Sequence, residues 1–250
     1  MDIWDWTRFG AGIAVLVVLV IVVLRAHGNR IGARPAVAIL RAGIQLAAIS
    51  VLLGAVLRWP WLVLAFVALM LTTATWTGAS RAAELPGGRR AAVVAIVAGG
   101  LGATIAALVL GLVALDVQQV IAIAGITIGN AMSASTLTAR RYLSAARAGA
   151  GEIEGWLALG ATPPVATSRL RSEAVAEALI PTMDQTRNTG LVTLPGAFVG
   201  ALFAGFSPVD AGVFQITVLA TILLGQALTG TVLSTMLGRA TTLPPAAEQD

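Results

Sequence analysis

Two stretches of this chain hold side chains whose types and spacing could do chemistry. The first is Asp184-Gln185-Thr186-Arg187-Asn188, a polar run inside an apolar segment. Asp184 and Arg187 are three residues apart, so on a helix they share a face and can pair. Ionisable groups at membrane depth are costly and turn toward a bundle interior or water. The run therefore reads either as a structural ion pair or as part of a solute route. If Leu179 marks the interface, Asp184 lies only about 7 Å inside it at the helical rise per residue, a depth suited to a cytoplasmic entrance. Pro195-Gly196 follow, and Pro195 removes a backbone donor and kinks its helix. We expect this segment to be bent or interrupted, with carbonyls freed near Leu191 and Val192 able to line a cavity. The second stretch is a polar island over 138–177. It carries Arg140, Arg141, Arg147, Glu152, Glu154, Arg169, Arg171, Glu173 and Glu177, nine of the chain's 16 basic and 12 acidic residues. Charge concentrated in one internal loop of an apolar chain is there to meet something in the cytoplasm.

Residue types remove several other chemistries. Cysteine is absent, so there is no disulfide framework, thiolate catalyst or cysteine metal site. Every basic residue is arginine, which excludes a Walker A loop and any Schiff-base lysine. The single His27 excludes a histidine cluster, and from its loop position it reads as solvated. No nucleophile–base pair or metal set points to an enzyme. Met132 and Met183 are the only thioethers near the polar stretches, weak and soft as ligands, so the metal question stays open. Asn130 and Ser133 stand about one helical turn apart in an apolar run. Polar groups there either bond a neighbouring helix or meet a ligand, and the same holds for Arg41, Gln45, Gln215 and Gln226.

The elements that position these residues follow from composition. The chain has 250 residues, 57% hydrophobic and 11% charged, with mean hydropathy +0.88. A soluble domain carries roughly 25% charged residues, so lipid must be the solvent for most of this surface. The fold expected is all-α and polytopic, a single transmembrane domain over 1–240 with a disordered tail over 241–250. A span needs about 20 apolar residues, and seven candidates meet that test: 11–24, 36–57, 59–77, 91–115, 117–137, 179–205 and 209–237. Arg25, Arg30 and Arg34 follow the first, Arg81, Arg89 and Arg90 the third, the island the fifth, and Arg239 the seventh. The opposite side has Arg8 and Arg58 with Asp2, Asp5, Asp116 and Asp210. The positive-inside rule then puts the N-terminus outside and the C-terminus in the cytoplasm. The high pI of about 11.2 reports that orientation and implies no nucleic acid. Span 1 does not read as a cleaved signal, because its positive charge follows the apolar run. No internal repeat is evident. Trp4, Trp6, Trp59, Trp61 and Trp76 fall at or near span ends, as headgroup anchors do. Gly125-x3-Gly129, Gly196-x3-Gly200 and the cluster Gly99, Gly100, Gly102 and Ala106 offer smooth faces for helix packing or for a dimer seam.

Within the island, Ile153, Trp156, Leu157 and Gly160 recur at one helical face. Glu152 and Glu154 begin that helix, where carboxylates suit its dipole. Gly160 is its stop, with Pro163-Pro164 just beyond. A second helix is expected to start near Thr162–Val165 and run into span 6, with Arg169 and Glu173 paired at i, i+4 and Glu177 a turn later. The bland reading is an amphipathic hairpin lying on the membrane surface.

The run from Glu154 to Pro163 resembles the E-A-A-x-x-x-G coupling loop of ABC importer permeases. Glu154 and Gly160 have its separation, and Gly155-Trp156 stand where that motif has two alanines. In those permeases the short helix sits in a cleft of a separate ATPase subunit. Four ordered motifs carry the likeness further: Gly129-Asn130-Ala131-Met132-Ser133-Ala134; Glu152-Ile153-Glu154 through Leu159-Gly160-Ala161-Thr162-Pro163; Leu179-Ile180-Pro181-Thr182; and Gly190-Leu191-Val192-Thr193-Leu194-Pro195-Gly196. Together they resemble the FetB-type permease family (UPF0014), bacterial iron exporters and plant aluminium-tolerance permeases, from about Arg41 to Met236.

The resemblance implies a permease that hydrolyses no nucleotide itself. ATP and Mg would be bound by a partner ABC ATPase, and a second permease copy would complete a homodimer in the lipid of the cell's plasma or inner membrane. It implies ATPase coupling by Glu152, Glu154, Trp156, Leu157, Gly160, Ala161, Thr162 and Pro163. Pathway candidates are Asn130, Ser133, Asp184, Gln185, Arg187, Asn188, Pro195 and Gly196. Some relatives have methionines where Arg187-Asn188 stand, and an anionic or chelated solute fits Arg187. The expected function is export of iron or another metal or metal-linked solute. The alternatives are a stand-alone ion-gradient transporter, which the missing repeat and scarce midplane carboxylates disfavour, and a membrane scaffold or sensor, which the broken polar span disfavours.

Overall fold

The computed structural model describes residues 3–29 and 32–240. Asp2, Arg30, the side chain of Trp4 and the expected disordered tail over 241–250 lie outside that description. The described residues are helical, without a strand, and form two compact units that divide after Trp59. The first unit holds α1 (Ile3–Ala26) and α2 (Arg34–Arg58). Asp5 in the first turn of α1 and Arg25 in its last turn both complement the helix dipole. Pro35 opens α2, where its fixed φ suits the first turn.

The second unit holds α3 (Leu62–Arg81), α4 (Gly88–Val109), α5 (Val117–Ala148), α6 (Ala150–Ala158), α7 (Pro163–Ala166), α8 (Ser168–Asn188), α9 (Gly196–Phe203) and α10 (Pro208–Leu237). Among the described residues, six helices are long and apolar enough to cross a membrane: α1 from Asp5, α2, α3, α4, α5 and α10. The seventh expected span, 179–205, is not one helix. Its residues are shared between α8 and α9, and the chain between them turns at Gly190, whose φ is 90°. Thr189 and Thr193 form an isolated bridge there, and Pro195 caps α9 with extended backbone. The interruption expected from Pro195 is therefore present, but Gly190 makes the turn.

Small residues set how close the helices come. A Cβ at Gly99 would collide with Thr229 Oγ1 and the Gly225 carbonyl, and one at Gly225 would meet Thr127 Cγ2 at 2.9 Å. The backbones of α4 and α10 thus touch, and α5 lies against both. In lipid, where tails are as apolar as leucine, such close contact is what holds helices together. Ala91, Ala92, Ala95, Ala103, Ala124 and Ala131 are all buried around this crossing. The cluster Gly99–Gly100 is used within the chain, whereas Gly129, Gly196 and Gly200 face open space.

The register of these contacts orders the unit. Gly125 faces Met70, Gly225 faces Thr127, and Gly230 faces Thr138, so α3, α5 and α10 run the same way. Gly238 faces Arg171 and Gly230 faces Val175, so α8 runs antiparallel to α10. The arginines that follow α3, α5 and α10 consequently gather at one end of this unit, where Arg147 bonds Glu84 at 3.4 Å. Gly99→Ala is expected to lose about 1–3 kcal/mol of stability by overpacking, while Gly129→Ala changes it by less than about 0.5 kcal/mol. Unfolding midpoints in detergent compare the two, and equal midpoints would contradict the crossing.

Candidate functional site

The island is held clear of the membrane by the length of α5. The Asp116 carboxylate accepts from Gln118 N at 2.9 Å and Gln119 N at 3.0 Å, which fixes the start of the helix. Its 32 residues rise about 48 Å, against about 30 Å of hydrocarbon. The end carrying Arg140, Arg141 and Arg147 must project beyond the bilayer. The expected span ended at Leu137; the helix continues to Ala148 because arginine is a good helix former in water.

An elbow follows. Gly149 separates α5 from α6, and α6 closes at Gly160, whose φ is 88°. Gly160 N donates to the Leu157 carbonyl at 2.9 Å and Ala161 N to the Trp156 carbonyl at 3.0 Å. That pair of bonds satisfies the last helical carbonyls and needs a residue that tolerates positive φ. Pro163 then opens α7, and α8 leaves the elbow after Thr167. The Gly160 stop is where the sequence places it; the first helix opens at Ala150, ahead of Glu152, and the expected second helix is divided at Thr167 into α7 and α8.

The expected apolar stripe is divided. Ile153 is 1% exposed, in a cluster with Tyr142, Ala146, Ala166 and Leu170. Trp156 is 49% and Leu157 38% exposed. Only the first turn of α6 rests on the bundle, so the face that periodicity groups together is buried at one end and bare at the other. Leu159 and Val165 are bare too, and Thr162 is exposed, with Ala161 and Pro163 half-buried. The glutamates also separate. Glu152 binds Arg169 Nη2 at 2.6 Å, and Glu173 binds Arg169 Nη1 at 2.9 Å. Glu152 first, then Glu173, push the Arg169 guanidinium above its ordinary pKa. A further pair, Arg141 to Glu177 at 3.2 Å, ties α5 to α8. Exposed pairs of this kind stabilise little; Glu152–Arg169 and Arg141–Glu177 join separate elements, and Arg169–Glu173 lies within α8. Among the described residues Glu154 has no such partner, and it is exposed, as is Trp156.

The pathway candidates fall into two groups that no hydrogen bond or ion pair joins. On the α5–α10 seam, Asn130 Nδ2 donates to the Ile126 carbonyl at 2.9 Å, and Asn130 Oδ1 accepts from Gln226 Nε2 at 3.3 Å. Ser133 donates to the Gly129 carbonyl at 3.1 Å and is exposed. Met132 packs with Ile96, Ile128 and Ala74 as a core side chain. At the other place, the last turns of α8, Asp184 and Arg187 are 4.0 Å apart, 59% and 80% exposed. Met183, Gln185 and Asn188 are exposed beside them, and Gly196 begins α9. Leu191 and Val192 are exposed, and the loop's amides bond the Asn188 and Thr193 carbonyls. Among the described residues, no three His, Cys, Asp or Glu side chains cluster as a metal site. Gln226 was readable only as a polar residue in an apolar run. The Glu152–Arg169 bond, across 17 residues, leaves no local sequence signal.

A family model described as "Uncharacterised protein family (UPF0014)" matches residues 9–242. This chain belongs to that family. The UPF0014 membrane protein STAR2 of rice is 33% identical over 242 residues, covering 93% of this chain and 84% of the relative. Protein ALUMINUM SENSITIVE 3 of Arabidopsis thaliana is 29% identical, covering 90% and 83%. The probable iron export permease protein FetB of Escherichia coli is 33% identical, covering 81% and 80%. No solved structure matches. The UPF0014 chain is therefore a multi-pass membrane protein of a family that includes a named permease. Ile153→Ala is expected to cost about 2–5 kcal/mol where the elbow meets the bundle and to raise amide hydrogen exchange across 150–158. Leu159→Ala, on the bare side, should leave that exchange unchanged.

Proposed function

We propose that this chain is the permease subunit of an ABC transporter that exports iron or another metal or metal-linked solute, powered by a separate ATPase subunit. The carrying observation is the elbow: a short helix, closed at Gly160, that leaves Trp156, Leu157 and Leu159 exposed, with Glu154 exposed and without an ion-pair partner among the described residues. A bare apolar face beyond the membrane calls for a protein cleft to cover it, and an aromatic anchor with a nearby charge is the composition of a binding hot spot. The positive-inside rule would put this end in the cytoplasm, where ATP is. Two copies would form the route and two ATPases would dock, holding ATP and Mg themselves. Glu152–Arg169 would carry motion of the elbow into α8 and so to the turn at Gly190.

The cargo is argued from the relative named as an iron export permease and from the exposed Asp184–Arg187 pair. A cation beside a carboxylate suits a solute of mixed charge, such as a chelated metal, at least as well as a bare ion. Trp156→Ala and Glu154→Lys are each expected to lower co-purification of the cognate ATPase at least about tenfold, as for the loss of a hot-spot contact. Unchanged association in both would remove the elbow's role. ATP-independent uptake into vesicles driven by an ion gradient would favour the stand-alone transporter instead.

For the route, Asp184→Ala and Arg187→Ala should leave the unfolding midpoint within about 0.5 kcal/mol of the parent, since the pair is exposed. Both should slow solute flux in vesicles containing the ATPase. Full flux in both variants would make the pair no part of the pathway.

A further inference from the structure

Arg169 and Arg171 stand two residues apart on α8 and have different surroundings. Arg169 is satisfied by two glutamates. Among the described residues Arg171 forms no ion pair. Its Nη2 donates to the Pro164 carbonyl at 2.8 Å, its Nε is buried without an acceptor, and its side chain lies against Gly238, just past the end of α10. Nε is sealed from water, so the donor left for an outside anion is Nη1, which is neither buried nor bonded among the described residues; a half-buried guanidinium without a carboxylate favours an anion there.

The space in front of it has a matching shape. A groove of about 510 Å3 runs between α8 and α10, lined by Arg171 with Ser168, Ser172 and Ser234 and by Val175 and Leu179. Ser168 and Ser172 are exposed and their hydroxyls make no hydrogen bond among the described residues, so they can donate outward. The polar and apolar ends are ordered by the antiparallel packing already described. Arg171 lies at Gly238, level with the end of a membrane span, and Val175 lies at Gly230, inside it. From Ser168 to Leu179 the groove follows eleven residues of helix, about 16 Å. It therefore offers donors at the headgroup level and an apolar wall leading toward the hydrocarbon. A basic pocket between helices at the membrane surface is the arrangement that recognises anionic lipid headgroups, and guanidinium with hydroxyls suits phosphate oxygens.

We propose that this groove binds the phosphate of an anionic phospholipid, with Arg171, Ser168 and Ser172 on its oxygens and Val175 and Leu179 along the start of an acyl chain. The site goes beyond the transport reading and does not depend on it. Because the same guanidinium holds Pro164, occupancy would be felt at the base of the elbow.

The test uses the full chain purified in detergent and mixed with phosphatidylglycerol, phosphatidylcholine or inorganic phosphate, with bound species read by native mass spectrometry. Phosphatidylglycerol should be retained over phosphatidylcholine by at least about tenfold, the ratio expected of one charge-assisted hydrogen bond. Arg171→Gln should abolish the preference and Arg169→Gln should keep it. Ser172→Phe, which fills the groove and leaves the Arg171–Pro164 bond intact, should abolish it as well, so misfolding of the first variant would not decide the matter. Equal retention of both lipids, or an undiminished preference in Ser172→Phe, overturns the proposal. So does inorganic phosphate displacing the lipid at equal concentration, since the apolar wall would then contribute nothing.

Discussion

The crossing of α4 and α10 at Gly99 and Gly225 is the contact on which the second unit depends. With no side chain between the two backbones, the helices approach closely enough for Thr229 and Thr127 to fill the remaining space. Helix α5 then lies along both, with Ile123 and Ile128 fully buried. Helix α8 is laid over the seam of α5 and α10, where Gly230 admits Val175. Each layer is thus positioned by small residues of the layer beneath it. A chain dissolved in lipid has few other means of choosing one arrangement of equally apolar helices.

Polar groups fix register where small residues fix distance. The Ile126 carbonyl takes the Asn130 amide nitrogen, so the Asn130 oxygen must face Gln226. That sets which way the Gln226 amide points and leaves its own oxygen buried without a donor. At the charged end the same logic is carried by ions. Arg169 joins α8 to α6 through Glu152, with Glu173 a turn along its own helix, and Arg141 joins α5 to α8 through Glu177. These bonds are exposed and weak singly, yet Glu152–Arg169 and Arg141–Glu177 each tie one element to another.

How much of this was legible in the sequence depends on whether a feature is local. The apolar runs of α3, α4 and α10, the Gly160 stop, the Pro163 start and the Arg169–Glu173 pair are written within a few residues of one another. Hydropathy marked where α5 leaves the membrane, but a helix does not end where its solvent changes, so its last eleven residues were missed. Periodicity grouped Ile153 with Trp156 and Leu157, because it reports a face and not what the face meets. Glu152 and Glu154 looked equivalent until Arg169, seventeen residues on, engaged one of them. Pro195 pointed to the interruption of the seventh apolar segment, yet the turn itself belongs to Gly190, whose freedom of φ is invisible until the backbone is seen.

The two limbs that leave the elbow are unequal in stiffness. Helix α5 runs from its Asp116 cap to Ala148 with no proline, gripped midway by Gln226. Helix α8 contains Pro181, which withholds one rung of its hydrogen-bond ladder and marks a point of easy flexure. A force applied at the bend meets a strut on one side and a compliant beam on the other. Displacement would accordingly pass into the beam, toward the end where Asp184, Arg187 and the Gly190 turn lie.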